Sequence, residues 1–194
     1  MGLDRRRTIA VRTPAAFDVR ILGVDPGLGC TGYGLVEGQA GRLRIREAGA
    51  IRSQAKAALP ERLVQIHAAI AEVLEEFRPD ALALEELYSE YNFPRTALLM
   101  AHARGAICLA AAQQKIPVWG FPPSEVKNAV VGHGRASKEQ VQEMVQRLFG
   151  LPQRPTPNDV ADALAIAVTG VYRAGSVGSL KGDSTNGSDA QDRA

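Results

Sequence analysis

The sequence predicts an α/β protein built on a mixed five-stranded sheet, a three-strand antiparallel meander plus parallel strands, flanked by helices on both faces. Three observations predict it. Three strand-like runs follow one another at 19–25, 32–37 and 43–51. Two more apolar runs, 81–84 and 116–121, alternate with helical patterns. Such alternation marks strand–helix–strand units, whose crossovers place helices over the sheet.

The first strand, Val19 to Asp25, is apolar and ends in a carboxylate; Pro26 and Gly27 then break it. The second carries Gly32 and Gly34, which leave one face nearly bare. The third alternates Leu43, Arg44, Ile45 and Arg46, as a strand with one wet face does. Leu59, Leu63, Ile66, Ile70, Val73, Leu74 and Phe77 recur at helical spacing, and Pro79 ends that helix. Ala81 to Leu84 reads as a buried central strand ending in Glu85 and Glu86. Residues 95–114 form an Ala-rich helix interrupted by Gly105. A lone Gly costs about 1 kcal/mol there, which close packing can offset. That helix is the candidate interface with the sheet, a second copy, or both. After the fifth strand, Ser124 is placed to cap a short helix to Val131. Gly132 to Ala136 is a loop, and Ser137 with Gln140 makes a capping-box pattern for a helix to Leu148. Prolines at 152, 155 and 157 mark another loop before a last helix from Asn158 to Tyr172.

The chain of 194 residues is 45% hydrophobic, enough for one domain with a substantial core, assigned to 19–173. Residues 1–18 read as a flexible arm and 174–194, rich in Gly, Ser, Asp and Asn, as a disordered tail. Arg5, Arg6 and Arg7 are followed by no apolar segment of a signal peptide, and no run has the length of a membrane span. Cys30 and Cys108 fit reduced thiols in a cytoplasmic protein better than a disulfide framework. A formal net charge of +2 points to local rather than global basic surface.

The chemistry lies in the acids. Asp25 and Glu85 each end an apolar strand. If those strands are parallel neighbours, both carboxylates emerge at the sheet edge where open α/β sheets place their sites. Asp159 and Asp162, three apart, share one face of the last helix. Asp25 can instead simply cap its turn, and the aspartates can simply favour the helix dipole. Taken together, the four suit Mg²⁺ or Mn²⁺ rather than zinc, and two such ions can clamp a phosphodiester.

Ile21-Leu22-Gly23-Val24-Asp25-Pro26-Gly27 with Thr31 to Gly34, Leu84 to Tyr88, Ala103 to Gly105, Val126 to Gly132 with Gly134, and Asp159 to Ala167 occur in that order. With these stretches the chain resembles the RuvC family of Holliday junction resolvases, in the RNase H-like superfamily. The resemblance spans about residues 19–172. It implies that Asp25, Glu85, Asp159 and Asp162 are catalytic acids holding Mg²⁺ or Mn²⁺, as two ions per site. It further implies a homodimer that nicks a four-way DNA junction symmetrically, leaving 5′-phosphate ends, and that works with RuvA and RuvB in recombination and repair. Lys127 and Lys138 match lysines used near the DNA backbone. His133 and Arg135 gather with Lys138 about a glycine-rich loop that suits phosphate. Tyr88 matches an aromatic placed against an unpaired base, and Tyr91 and Phe93 share its loop. The chain departs from the family in its longer N-terminal arm, in Glu86 where Gln is common, and in Asp159 where some members use His. Glu86 and His133 are open as further site members. An actin-like phosphotransferase, a non-catalytic binder of branched DNA and a nuclease of RNA ends are the competing readings.

Overall fold

In a computed structural model of the chain, residues 19–87 and 94–182 are described. The expected arm, the end of the tail, and Tyr88, Tyr91 and Phe93 lie outside them. Five strands, β1 (Val19–Asp25), β2 (Cys30–Gln39), β3 (Arg42–Arg52), β4 (Ala81–Glu85) and β5 (Val118–Phe121), form one sheet in the order β3-β2-β1-β4-β5. β1, β2 and β3 pair antiparallel; β4 pairs parallel with β1 and β5 parallel with β4. The meander and the parallel additions match the expected class.

Helices α1 (Leu59–Phe77) and α2 (Pro94–Gln113) cover one face; α3 (Pro123–Val131), α4 (Lys138–Leu148) and α5 (Asn158–Gly182) cover the other. Strand alternation separates two cores. Leu22, Val24, Tyr33, Leu35, Leu82 and Leu84 pack with α1 and α2. Ile21, Val36, Ala81, Ala83 and Phe121 pack with α3, α4 and α5.

Several ends differ from the sequence reading. α3 starts at Pro123 with Pro122 before it, so Ser124 lies inside the first turn and caps nothing. Proline at the first helical position presets the backbone and needs no cap donor. β5 starts at Val118 because Ile116 still bonds back to the Ala111 carbonyl at the end of α2. α5 continues past Tyr172 to Gly182, since elongating a formed helix costs far less than starting one. The arginine face of β3 is less wet than expected. Arg44 and Arg46 both reach Glu37, which is 1% exposed, at 3.3 and 3.2 Å. The register slips between Leu35 and Val36, and the extra residue is Arg46. The Ser137–Gln140 capping box is present as expected, with bonds of 3.3 and 2.8 Å.

α5 determines where the site can form. It lies on β1 and β2 along a track of glycines. A methyl group at Gly23 would stand 2.1 Å from the Ala163 carbonyl oxygen, and one at Gly32 would stand 2.0 Å from that of Asp159. Gly34 receives the side chain of Leu164. Gly23 and Gly34 are cross-strand partners, as are Asp25 and Gly32. The bare strip therefore runs straight to Asp25.

Gly23→Ala is expected to force α5 off the sheet and lower stability by about 1–3 kcal/mol, the usual cost of overpacking. Thermal unfolding checks this; an unchanged midpoint would show the track is looser than its contacts.

Candidate active site

The parallel register pairs Val24 with Leu84, so Asp25 and Glu85 are the next residues on neighbouring strands. Strands in a sheet lie about 4.8 Å apart, and residues at one level share a face. Asp25 follows Gly23 and Glu85 follows Ala83 on the side covered by α5. Glu86 alternates away, and its side chain lies against Gly120 of β5. Geometry therefore favours Glu85 over its neighbour as the acid that faces Asp25.

Asp159 enters from the first turn of α5, its backbone seated on Gly32, the cross-strand partner of Asp25. Asp162 stands one turn further along. The acids feel one another strongly. Burial first, then the fields of Asp162, Asp159 and Glu85, push the Asp25 carboxyl from its ordinary 3.8 up to about 7. Burial and Asp162 raise Glu85; Lys127 and Lys138 oppose them. Burial also raises Asp162, outweighing its bond to Lys138. Acids from β1, β4 and α5 thus act on one another in one field.

The basic residues are placed unevenly. Lys138, the first residue of α4, puts its ammonium 2.7 Å from an Asp162 oxygen. Burial disfavours that charge, but the bond to Asp162 and the fields of Asp25 and Asp159 outweigh it, and Lys138 titrates above an ordinary lysine. Lys127, on α3, is close enough to act on Glu85. His133 and Arg135 are exposed in the loop between α3 and α4. Tyr88 lies outside the described residues.

Sequence reasoning missed the residues that frame Asp25. Cys30 bonds to Asp159; burial and that carboxylate push its thiol up to about 11. Thr31, fully buried, donates to the Gly27 carbonyl at 2.7 Å. Arg62 and Ser53 hold the Leu28 carbonyl. The Thr-Gly pair after the turn was a visible signal; Arg62, far away in sequence, had none.

The donor set fits a hard divalent cation: carboxylate oxygens gathered where their own repulsion penalises full ionisation. Lys138 marks the place where positive charge is favoured. Among the described residues, no three His, Cys, Asp or Glu side chains are already closed to ligating distance. The acids therefore form a converging set rather than a finished cage.

This has a pH consequence for the protein without divalent metal. Between about 3.8 and about 7 the folded chain holds a proton on Asp25 that the unfolded chain has released. The contribution of Asp25 to stability is thus full below that window and is lost as pH rises through it. In EDTA, Asp25→Asn is expected to melt several degrees above wild type at about pH 8, with the difference vanishing near pH 4. Melting curves across pH check this; a difference that does not change with pH would contradict it.

Comparison with known proteins agrees with this geometry. The family description "Crossover junction endodeoxyribonuclease RuvC" matches residues 21–170. The protein of that name from Rhodopirellula baltica is 49% identical over 79% of this chain and 86% of its own. That from Moorella thermoacetica is 51% identical over 76% and 88%. The structure of Thermus thermophilus RuvC in complex with a Holliday junction substrate superposes with a TM-score of 0.77 at 36% identity, covering 82% of this chain and 96% of that one. The yeast mitochondrial Holliday junction resolvase Ydc2, at 16% identity and a TM-score of 0.56, shares the fold. The five-stranded mixed sheet flanked by helices is the RNase H-like fold of the RuvC structures it matches. With its acids gathered at that edge and its sequence matched over almost the whole described region, the chain belongs to the RuvC family of crossover junction endodeoxyribonucleases.

Proposed function

We propose that this protein is a divalent-metal-dependent endonuclease that resolves four-way DNA junctions by paired, symmetric nicks, each leaving a 5′-phosphate and a 3′-hydroxyl. The observation that carries the reading is the convergence of Asp25 and Glu85, next to one another at the ends of neighbouring parallel strands, with Asp159 seated on Gly32 beside them. A bound divalent cation turns the repulsion among these acids into binding energy.

In this reading Asp25, Glu85, Asp159 and Asp162 hold Mg²⁺ or Mn²⁺, as two ions per site. The bound ions supply the positive charge that makes a water nucleophilic and stabilises the leaving oxygen. The chain's own work is placement. β1 and β4 hold two acids at one level, and α5 adds two from above. Lys127, Lys138, Arg135 and His133 on α3, α4 and their loop suit the phosphate backbone beside the cut. Lys138 would exchange Asp162 for a phosphate oxygen, keeping its charge paired. Tyr88 would stack on an exposed base. RuvA and RuvB as partners and a cytoplasmic location belong to the same reading. Among the described residues no helix is long and apolar enough to cross a membrane.

A second copy belongs to the reading as well. α1 and α2 leave an open apolar groove lined by Leu63, Val64, Ala106 and Leu109. Val64 is 66% exposed and Leu109 54%. Gly105 lines the groove, and a methyl group there would meet nothing within 4 Å. Packing among the described residues therefore gives no reason for the helix-weakening glycine, whereas close approach of another helix does. A two-fold dimer would present two equivalent sites to a two-fold junction.

Incubation with a mobile four-way junction, a linear duplex and an RNA duplex, each with Mg²⁺ or Mn²⁺, tests the activity. Paired nicks on the junction alone are expected, abolished in Asp25→Asn while junction binding persists. Cleavage of the RNA duplex alone would move the protein to another substrate class. Leu109→Glu is expected to sediment as a monomer, keep its helical content and lose pairing of the nicks; an unchanged sedimentation coefficient would remove the groove as the interface.

A further inference from the structure

We propose that Arg62 is a positioning residue for the active site: it locks the turn between β1 and β2 and so sets the place of Asp25 and of Gly32, on which Asp159 rests. This rests on the nuclease reading above.

The turn, residues 26–29, joins the strand end that carries Asp25 to the strand start that carries Cys30 and Gly32. It is short, rich in glycine and at the sheet edge, where few ladder bonds hold it. Three attachments fix it instead. The Leu28 side chain is 8% exposed and sits in the core under α1 and α2. Thr31 Oγ1 donates to the Gly27 carbonyl at 2.7 Å. The Leu28 carbonyl accepts from Ser53 Oγ and, at 3.0 Å, from the Arg62 guanidinium. Arg62 also donates from Nε to Ser53 Oγ at 2.8 Å. One planar fork thus ties together the first turns of α1, the residue after β3 and the turn beyond Asp25.

The direction of the tie matters. α1 lies on the sheet face opposite α5, so Arg62 touches none of the four acids. It holds their platform from behind. When the turn relaxes, the edge pair Asp25–Gly32 is free to open, and the α5 contact at Gly32 carries Asp159 with it. The acids must hold their spacing against mutual repulsion, so looseness appears first as weaker cation binding. Lysine in place of Arg62 reaches one acceptor but lacks the fork.

The test compares wild type, Arg62→Ala, Arg62→Lys and Ser53→Ala. The measurements are Mn²⁺ affinity by calorimetry without DNA, the Mg²⁺ dependence of junction cleavage, junction affinity in EDTA, and thermal unfolding. Arg62→Ala is expected to weaken Mn²⁺ binding and raise half-saturating Mg²⁺ by about tenfold, as loss of an outer partner of a metal site does. Junction affinity should hold within about twofold, and Ser53→Ala and Arg62→Lys should fall between. Excess metal should restore most of the cleavage rate. Unchanged metal dependence with weaker junction binding would make Arg62 a phosphate contact and overturn the proposal. A lower melting point with normal metal affinity would reduce it to a fold-stabilising residue and also overturn it. If wild type cleaves no junction, the nuclease reading fails, while the Mn²⁺ affinities of wild type and Arg62→Ala still decide the role of the turn.

Discussion

The close approach of α5 to the bare strip of β1 and β2 is the contact on which the rest of this structure depends. Backbone meets backbone there: the carbonyls of Ala163 and Asp159 occupy space that any side chain at Gly23 or Gly32 would fill. The helix beyond is held by apolar burial. Val160, Leu164, Ile166, Val168 and Val171 are all nearly inaccessible. Each such side chain contributes roughly 1.5–3 kcal/mol on burial. Together they outweigh the several kcal/mol that one poorly solvated carboxylate costs. The fold can therefore hold Asp159 and Asp162 against Asp25 although the acids repel. Greasy residues on α5 enforce an arrangement that charge alone would undo.

That arrangement explains the roles of the surrounding groups. Asp25 is the most perturbed acid because it is the most enclosed and faces the other three. Lys138 pairs with Asp162, the acid nearest its helix. Two supports on opposite faces of the sheet meet at this edge. α5 presses Asp159 onto Gly32 from one side, and Arg62 with Ser53 draws the Leu28 carbonyl from the other. Site geometry here is a property of the sheet edge between them, not of any one loop. In the proposed dimer, the groove between α1 and α2, on the sheet face away from α5, receives the second copy.

Much of this was legible from the sequence, and the reasons are physical. β1, α1 and β4 carry strong periodic signals bounded by proline, so their extents agree with the structure almost to the residue. The capping box at Ser137 and Gln140 is a local pairing and was readable for that reason. Ser124 misled because its cap pattern competes with a proline that sets the backbone without it. Asp25, Glu85, Asp159 and Asp162 stood out because each lies at the end of an apolar element, where a carboxylate has no packing role.

By itself, the sequence determined the elements, the mixed sheet and the candidate acids, because these follow from short-range pattern and from the order of the motifs along the chain. Tertiary structure alone decided that Glu85 rather than Glu86 faces Asp25, that Lys138 meets Asp162, and that Arg62 reaches the Leu28 carbonyl. Those facts depend on strand register and on which helix covers which face. Both are set by packing between residues far apart in the chain, which no local window contains.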